Sequence, residues 1–261
     1  MRKNHGMTQG AATEAGAAFR PVKSADRTID VLQSLASGPR SFSQLQASLG
    51  LPKSSLHAIV RTLQDRHWIE QAESGRFGLG LGLIEVASAY LETDDTVRRT
   101  AGLLDRLADA TGETVQLARL DDADVVYLSK RDSGHPVRLI STVGSRLPAH
   151  ATALGKALLA GRRDDDVRAA LSFPMRPLTA RTITDWERLR EDLDGVRERG
   201  YAVDNEEAAD GLRCFAVTPR GTRSPMNAIS VSVPSFRLSG EREQMVISAL
   251  LEVRDAWAGA R

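Results

Sequence analysis

The sequence predicts two folded parts in one chain: a winged helix-turn-helix near the N-terminus, mainly α with a β-hairpin wing, and behind a linker helix a larger α+β domain. Three patterns predict this. A short capped helix runs almost directly into a longer amphipathic one and then into a hairpin. An apolar helical stretch follows. Beyond it, short strand patterns and helical patterns share the rest of the chain, with no internal repeat.

Residues 1–23 are rich in Ala, Gly and Thr. Gln9, Thr13, Glu14 and Gly16 interrupt any apolar run there, so the segment is expected to be a disordered tail rather than a secretion signal. The winged helix-turn-helix is expected over 24–80. Its first helix runs from about Asp26 to Ala36, with Ile29, Leu32 and Ala36 at helical spacing beside Val31 and Leu35, and Ser37-Gly38-Pro39 ends it. Ser41 opens the second helix with Gln44 three residues on, a capping box, and Phe42, Leu45 and Leu49 line its inner face. After Leu49-Gly50-Leu51, Pro52 begins the third helix, whose Leu56, Ile59, Val60 and Leu63 form one apolar stripe.

The opposite face of that third helix carries Lys53, Ser54, Ser55, His57, Ala58 and Arg61, with no acid before Asp65. Small residues permit close approach to a duplex, and cationic and hydrogen-bonding groups meet phosphates and base edges. Trp68–Gln71 and Phe77–Leu79 around Glu73-Ser74-Gly75-Arg76 read as the wing, with Arg76 at its tip. Ser41, Lys53, Ser54, Ser55, His57, Arg61 and Arg76 are the expected DNA-facing residues. Charge agrees: residues 20–66 hold seven basic groups against three acidic, while residues 91–261 hold 25 against 27.

Leu81, Ile84, Ala87 and Leu91, with Leu83, Val86 and Tyr90, predict a linker helix over 81–93, with apolar surface to spare for a second subunit. The domain from 94 to 261 begins with a helix over Thr96–Ala110. Strands Thr114–Leu120 and Val125–Lys130 and an extended piece Val137–Val143 come next. Helices follow at Ala153–Ala160 and Asp164–Leu171, and a third opens on the capping box Thr184-Asp185-Trp186-Glu187 and runs to Arg199. Strands Tyr201–Asp204, Cys214–Thr218 and Asn227–Val233 and a helix after Ser239 complete a mainly antiparallel sheet with covering helices.

Three segments of this domain carry chemistry. Gly144–Pro148 leads into HATALGKALLA (His150–Ala160), a helix start whose free N–H groups favour an anion. GYAVDNEEAADGLRCFAV (Gly200–Val217) puts Asp204 and Cys214 on neighbouring strands. In ISVSVP (Ile229–Pro234), Ser230 and Ser232 share one face, and if that face points inward the hydroxyls need partners that a polar ligand can supply. Lys156 reads as a solvated helix residue. His57 and His67 stand without metal-ligand spacing, so no metal and no cofactor is expected.

A single cysteine, Cys214, excludes an intrachain disulfide and a cysteine metal cage and fits the cytoplasm. No apolar run reaches the roughly 18–20 residues of a membrane span. Three functions fit these features: a ligand-responsive DNA-binding regulator, a constitutive DNA-binding protein whose C-terminal domain only oligomerises, and an enzyme with a winged-helix appendage. The last would need Cys214, His150 and Asp204 as nucleophile, base and orienter; no catalytic residue is assigned.

The segment Arg27–Leu63 with LPAHATALGKALLA (Leu147–Ala160), GYAVDNEEAADGLRCFAV and ISVSVP, in this order, resembles the IclR family of bacterial transcriptional regulators over about Ser24–Trp257. The resemblance implies a GAF-like effector domain, a dimer or dimer of dimers, operator DNA as partner, and a repressor of genes that metabolise a small organic acid. It implies an effector pocket at Ala153, Leu154, Asp204, Cys214, Ser230 and Ser232, to which Gly144 is added from the loop before the helix. Leu154 is bulkier than the small residue usual in members that bind two- or three-carbon acids, which argues against such an effector.

Overall fold

The computed structural model describes residues 21–135 and 142–259. Two compact units divide at Ala89/Tyr90. The disordered tail expected over 1–23 lies mostly outside the described residues, but Lys23 is already helical.

The first unit holds α1 (Lys23–Ala36), α2 (Phe42–Leu49), α3 (Lys53–Asp65) and the antiparallel pair β1 (Ile69–Gln71) and β2 (Phe77–Leu79). In α1 the buried residues are Val31 and Leu35, while Ile29 faces out, one step off the expected stripe. The Ser41–Gln44 capping box forms, and Gly50 ends α2 at φ 61°, a left-handed cap that glycine takes without strain. Leu56, Val60 and Leu63 bury α3 against Val31, Leu45, Ile69 and Phe77, so the opposite face of α3 is left to solvent. Arg40 exchanges two backbone hydrogen bonds with Phe77 (2.9 and 2.7 Å) and ties the wing to the chain before α2.

Helix α4 (Gly82–Thr93) spans the division and buries none of its residues. The second unit begins within it and continues with α5 (Asp95–Thr111), β3 (Thr114–Asp121), β4 (Asp124–Arg131), β5 (Arg146–Pro148), α6 (Ala153–Ala160), α7 (Asp164–Ala170), α8 (Trp186–Arg199), β6 (Ala202–Asn205), β7 (Leu212–Val217), β8 (Asn227–Pro234) and α9 (Gly240–Gly259). The strands form one antiparallel sheet in the order β5-β4-β3-β8-β7-β6. Alternation divides its faces. Val115, Leu117, Phe215, Ile229, Val231 and Val233 pack with α5 and α9, whereas Ala118, Tyr127, Cys214, Ala216 and Ala228 face α6 and α8. Buried Glu113 receives Arg237 and Arg242 and pins the start of α9 to that of β3.

Three expectations change. Most of Val137–Val143 lies outside the described residues, and the fifth strand is Arg146–Pro148, paired with β4, where a loop was expected. The N-cap of α8 is Asp185 rather than Thr184: Asp185 Oδ1 accepts from the Arg188 amide, and the Thr184 carbonyl serves Met175 instead. Lys156 is not solvated but 1% exposed, inside a helix buried at seven of its eight positions.

Candidate nucleic-acid interface and ligand cavity

On α3, Lys53, Ser54, His57 and Arg61 are exposed and Ser55 is half-buried. Ser54 and Arg61 lie opposite the stripe of Leu56, Val60 and Leu63, and Ser55 and His57 flank it. Lys53, seven residues before Val60, shares the side of the stripe and is exposed as the first residue of the helix. Among the described residues the side chains of Lys53 and Arg61 have no acid partner. The His57 ring tilts against Phe42, with centroids 5.8 Å apart. Ser41 has a structural task, since its Oγ caps α2 through the Gln44 amide at 3.2 Å. Arg76 at the wing donates to the Pro39 carbonyl at 2.6 Å; that bond anchors the wing, and among the described residues the other guanidinium N–H groups have no side-chain or carbonyl partner.

In the second unit a cavity of about 210 Å³ lies between the start of α6 and the inward face of the sheet. Thr152 caps α6 by accepting the Gly155 amide at 3.0 Å, and the Lys156 amide bonds the Thr152 carbonyl. The first-turn amides of Ala153 and Leu154 have no protein acceptor among the described residues, and both residues line the cavity. Gly155 makes this approach possible, because a Cβ there would lie 2.1 Å from the Ala149 carbonyl oxygen.

The sheet supplies the floor. Ser230 and Ser232 point inward, and both hydroxyls donate to Gln116 Oε1, at 3.0 and 2.9 Å. Their buried donors are therefore satisfied inside the protein, by Gln116, a residue the sequence reading passed over. Cys214 Sγ donates to Ser232 Oγ at 3.2 Å. Register places Asp204, Cys214 and Ser232 in a row across β6, β7 and β8.

Asp204 is 1% exposed, and its Oδ1 accepts the amides of Glu207 (2.7 Å) and Ala208 (3.3 Å). Burial is the largest influence on its carboxyl. Together with the Glu207 carboxylate, and against the two amide bonds and Lys156, it raises the pKa to about 7. Burial, with Asp204 beside it, also pushes the Cys214 thiol well above its ordinary range, so it is a neutral thiol. Below this end of the cavity Lys156 Nζ pairs with Glu207 Oε1 (2.6 Å) and Asp192 Oδ2 (2.9 Å).

The cavity thus gathers Ala153, Leu154, Asp204, Cys214, Ser230 and Ser232, together with Gln116, Tyr127 and Thr152, which sequence reasoning missed. Gly144 is not among the lining residues. Its amide donates to the Tyr127 carbonyl at 2.8 Å and belongs to the loop beside β4. His150 is also outside: its Nε2 contacts the Arg176 carbonyl at 3.0 Å. Cys214, His150 and Asp204 therefore do not form a nucleophile–base–orienter arrangement. Among the described residues no helix is long and apolar enough to cross a membrane.

Comparison with known proteins agrees with both halves. The IclR helix-turn-helix domain matches residues 24–73, and the bacterial transcriptional regulator IclR C-terminal domain matches residues 88–257. The HTH-type transcriptional regulator KdgR of Escherichia coli is 35% identical over 233 residues, covering 88% of this chain and 89% of that one. The transcriptional repressor IclR of the same organism is 33% identical over 251 residues, 92% of each. A crystal structure of an IclR transcriptional regulator from Alicyclobacillus acidocaldarius superposes with a TM-score of 0.81 at 26% identity, covering 92% of this chain and 99% of that one. With a helix-turn-helix whose polar face is open and an α+β domain enclosing a polar-floored cavity, the chain belongs to the IclR family of ligand-responsive bacterial transcriptional regulators.

Proposed function

We propose that this regulator is a cytoplasmic repressor that holds operator DNA as a dimer and releases it when a small organic acid enters the cavity. The observation that carries the reading is the cavity itself. Two free amides at a helix start favour a carboxylate, and the buried row Asp204–Cys214–Ser232 offers polar partners to the rest of the ligand. Asp204 repels an anion when ionised, so it meets a hydroxyl or amide donor on the ligand. A hydroxy- or oxo-acid therefore fits better than a bare fatty acid.

On this reading residues 24–80 bind DNA through Lys53, Ser54, Ser55, His57 and Arg61, with Ser41 and Arg76 at the margins of the contact. Residues 81–93 link, and 94–261 sense and oligomerise. Ile84, Val86 and Tyr90 of α4 are exposed apolar residues, suited to a two-fold partner helix. Pairing of two such dimers on DNA would give the dimer of dimers. The relative named as a repressor supports the sign of regulation. The effector acts only through the difference in its affinity for two dimer arrangements.

A thermal-shift screen of the full chain against organic acids tests the reading. A binder at about 100 times its Kd stabilises the folded state by about 2.7 kcal/mol. If no acid shifts the transition, and DNA binding is indifferent to all of them, the domain only oligomerises.

A further inference from the structure

Helices α5 and α9 lie against each other on the sheet face opposite the cavity. Between them runs an open groove of about 630 Å³, larger than the cavity's 210 Å³. Its floor is made of the buried Leu107 and Val253 with half-buried Ala249, and its flanks of the exposed Ala110 and Ala256. Helical spacing sets these residues in line. Arg106, Asp109 and Ala110 fall at i, i+3 and i+4 along α5, and Ala249, Glu252, Val253 and Ala256 at i, i+3, i+4 and i+7 along α9, so each helix gives one continuous side to the groove.

The rim is charged. Arg106 and Asp109 stand on the α5 wall and Glu252 on the α9 wall, all three exposed. None of them has an ion-pair partner among the described residues, although other charges on the same helices do: Asp105 holds Arg131, and Glu243 holds Arg213. A small anion or cation would meet both signs here at once. A surface that carries both signs in the reverse arrangement matches it, and a second copy of the same groove is such a surface. A two-fold axis through the groove sets α5 of each copy against α9 of the other, and the contacts become reciprocal.

We propose that the α5–α9 groove is the surface through which two dimers of this chain meet, with Arg106 of each copy against Glu252 of the partner subunit. This rests on the chain being a dimer through α4, and it names the second surface that a dimer of dimers needs. Asp109 leaves each groove with one acid in excess, which opposes close approach. The pairing is therefore weaker than the α4 contact and forms at high protein concentration, or where DNA holds two dimers side by side.

Sedimentation equilibrium of the full-length protein, from micromolar to submillimolar concentration, tests this on wild type, Arg106→Glu, Glu252→Arg and the two substitutions combined. Wild type should pass from dimer to tetramer as concentration rises. Each single reversal sets like charges against each other in both reciprocal contacts and should weaken that step by about tenfold or more. The combined variant exchanges the signs on both helices and should recover it. Both positions are exposed, so thermal unfolding of the variants should stay close to that of wild type. A wild type that remains dimeric throughout, single reversals that associate as wild type does, or a combined variant that fails to recover overturns the proposal. A wild type that passes from monomer to a dimer sensitive to the two reversals leaves the groove standing and removes the α4 contact instead, so the two failures are told apart.

Discussion

The Lys156 ammonium lies 2.6 Å from the Glu207 carboxylate, one turn beyond the α6 amides that open into the cavity. The Glu207 amide in turn holds Asp204, and its carbonyl accepts from Thr182 at 2.7 Å. One buried ion pair thus ties the helix above the cavity to the loop beside it. Lys156→Met leaves Glu207 and Asp192 facing each other without the cation, and should destabilise the protein by about 3–5 kcal/mol in denaturant unfolding. Adding Glu207→Gln should recover part of that loss. A cost under about 1 kcal/mol for the single variant would mean that the pair is idle.

On DNA, Lys53→Ala and Arg61→Ala should each weaken operator binding. Where the lost group contacts a phosphate, the slope of log affinity against log salt should fall by about one unit. Where it reads a base, about 1–3 kcal/mol of discrimination should disappear instead. If neither affinity nor specificity changes in either variant, this face of α3 is not the interface.

Ile84→Glu and Val86→Glu place charges at two exposed apolar positions of α4, on opposite sides of the helix. Sedimentation at micromolar concentration should show dimers for the wild type and monomers for the variants, with operator affinity reduced because two half-sites are no longer read together. Monomeric wild type, with and without DNA, would contradict the dimer.

Asp204 gives the protein a specific pH dependence. Its carboxyl titrates near pH 7 in the folded state and near 3.8 when exposed, so between these values the folded state holds a proton that the unfolded state has lost. Stability contributed at this site should fall as pH rises from about 4 to 7 and level off above, by roughly 4 kcal/mol in total. Comparing unfolding of wild type and Asp204→Asn across pH 4–8 isolates this slope. Parallel curves would show that Asp204 ionises freely.

Much of the fold was legible because local signals agreed with tertiary demands. The Ser41–Gln44 box, the Gly50 stop and the period of Leu56, Val60 and Leu63 each dictate one local structure. The alternation of Ile229 to Val233 placed Ser230 and Ser232 on one face. Arg146–Pro148 escaped, since three residues with a proline form a strand only because β4 offers an edge. Gln116 and Tyr127 escaped too. Both sit where alternation puts core residues, and only the three-dimensional register shows Gln116 between two serines. Lys156 was readable in principle: a lone cation in ALGKALLA, a helix apolar all round, requires a buried partner.

Operator release should decide whether the cavity governs DNA binding. Fluorescence anisotropy of a labelled operator duplex would be followed while an acid identified by thermal shift is titrated into wild type, Ser232→Ala and Ala208→Leu. Without acid, all three should bind the duplex with similar affinity. Wild type should then release it, while the variants should need about tenfold more acid or hold on throughout. Release of all three at the same acid concentration, or a wild type that binds the acid and keeps its DNA, would contradict the cavity as the regulatory site.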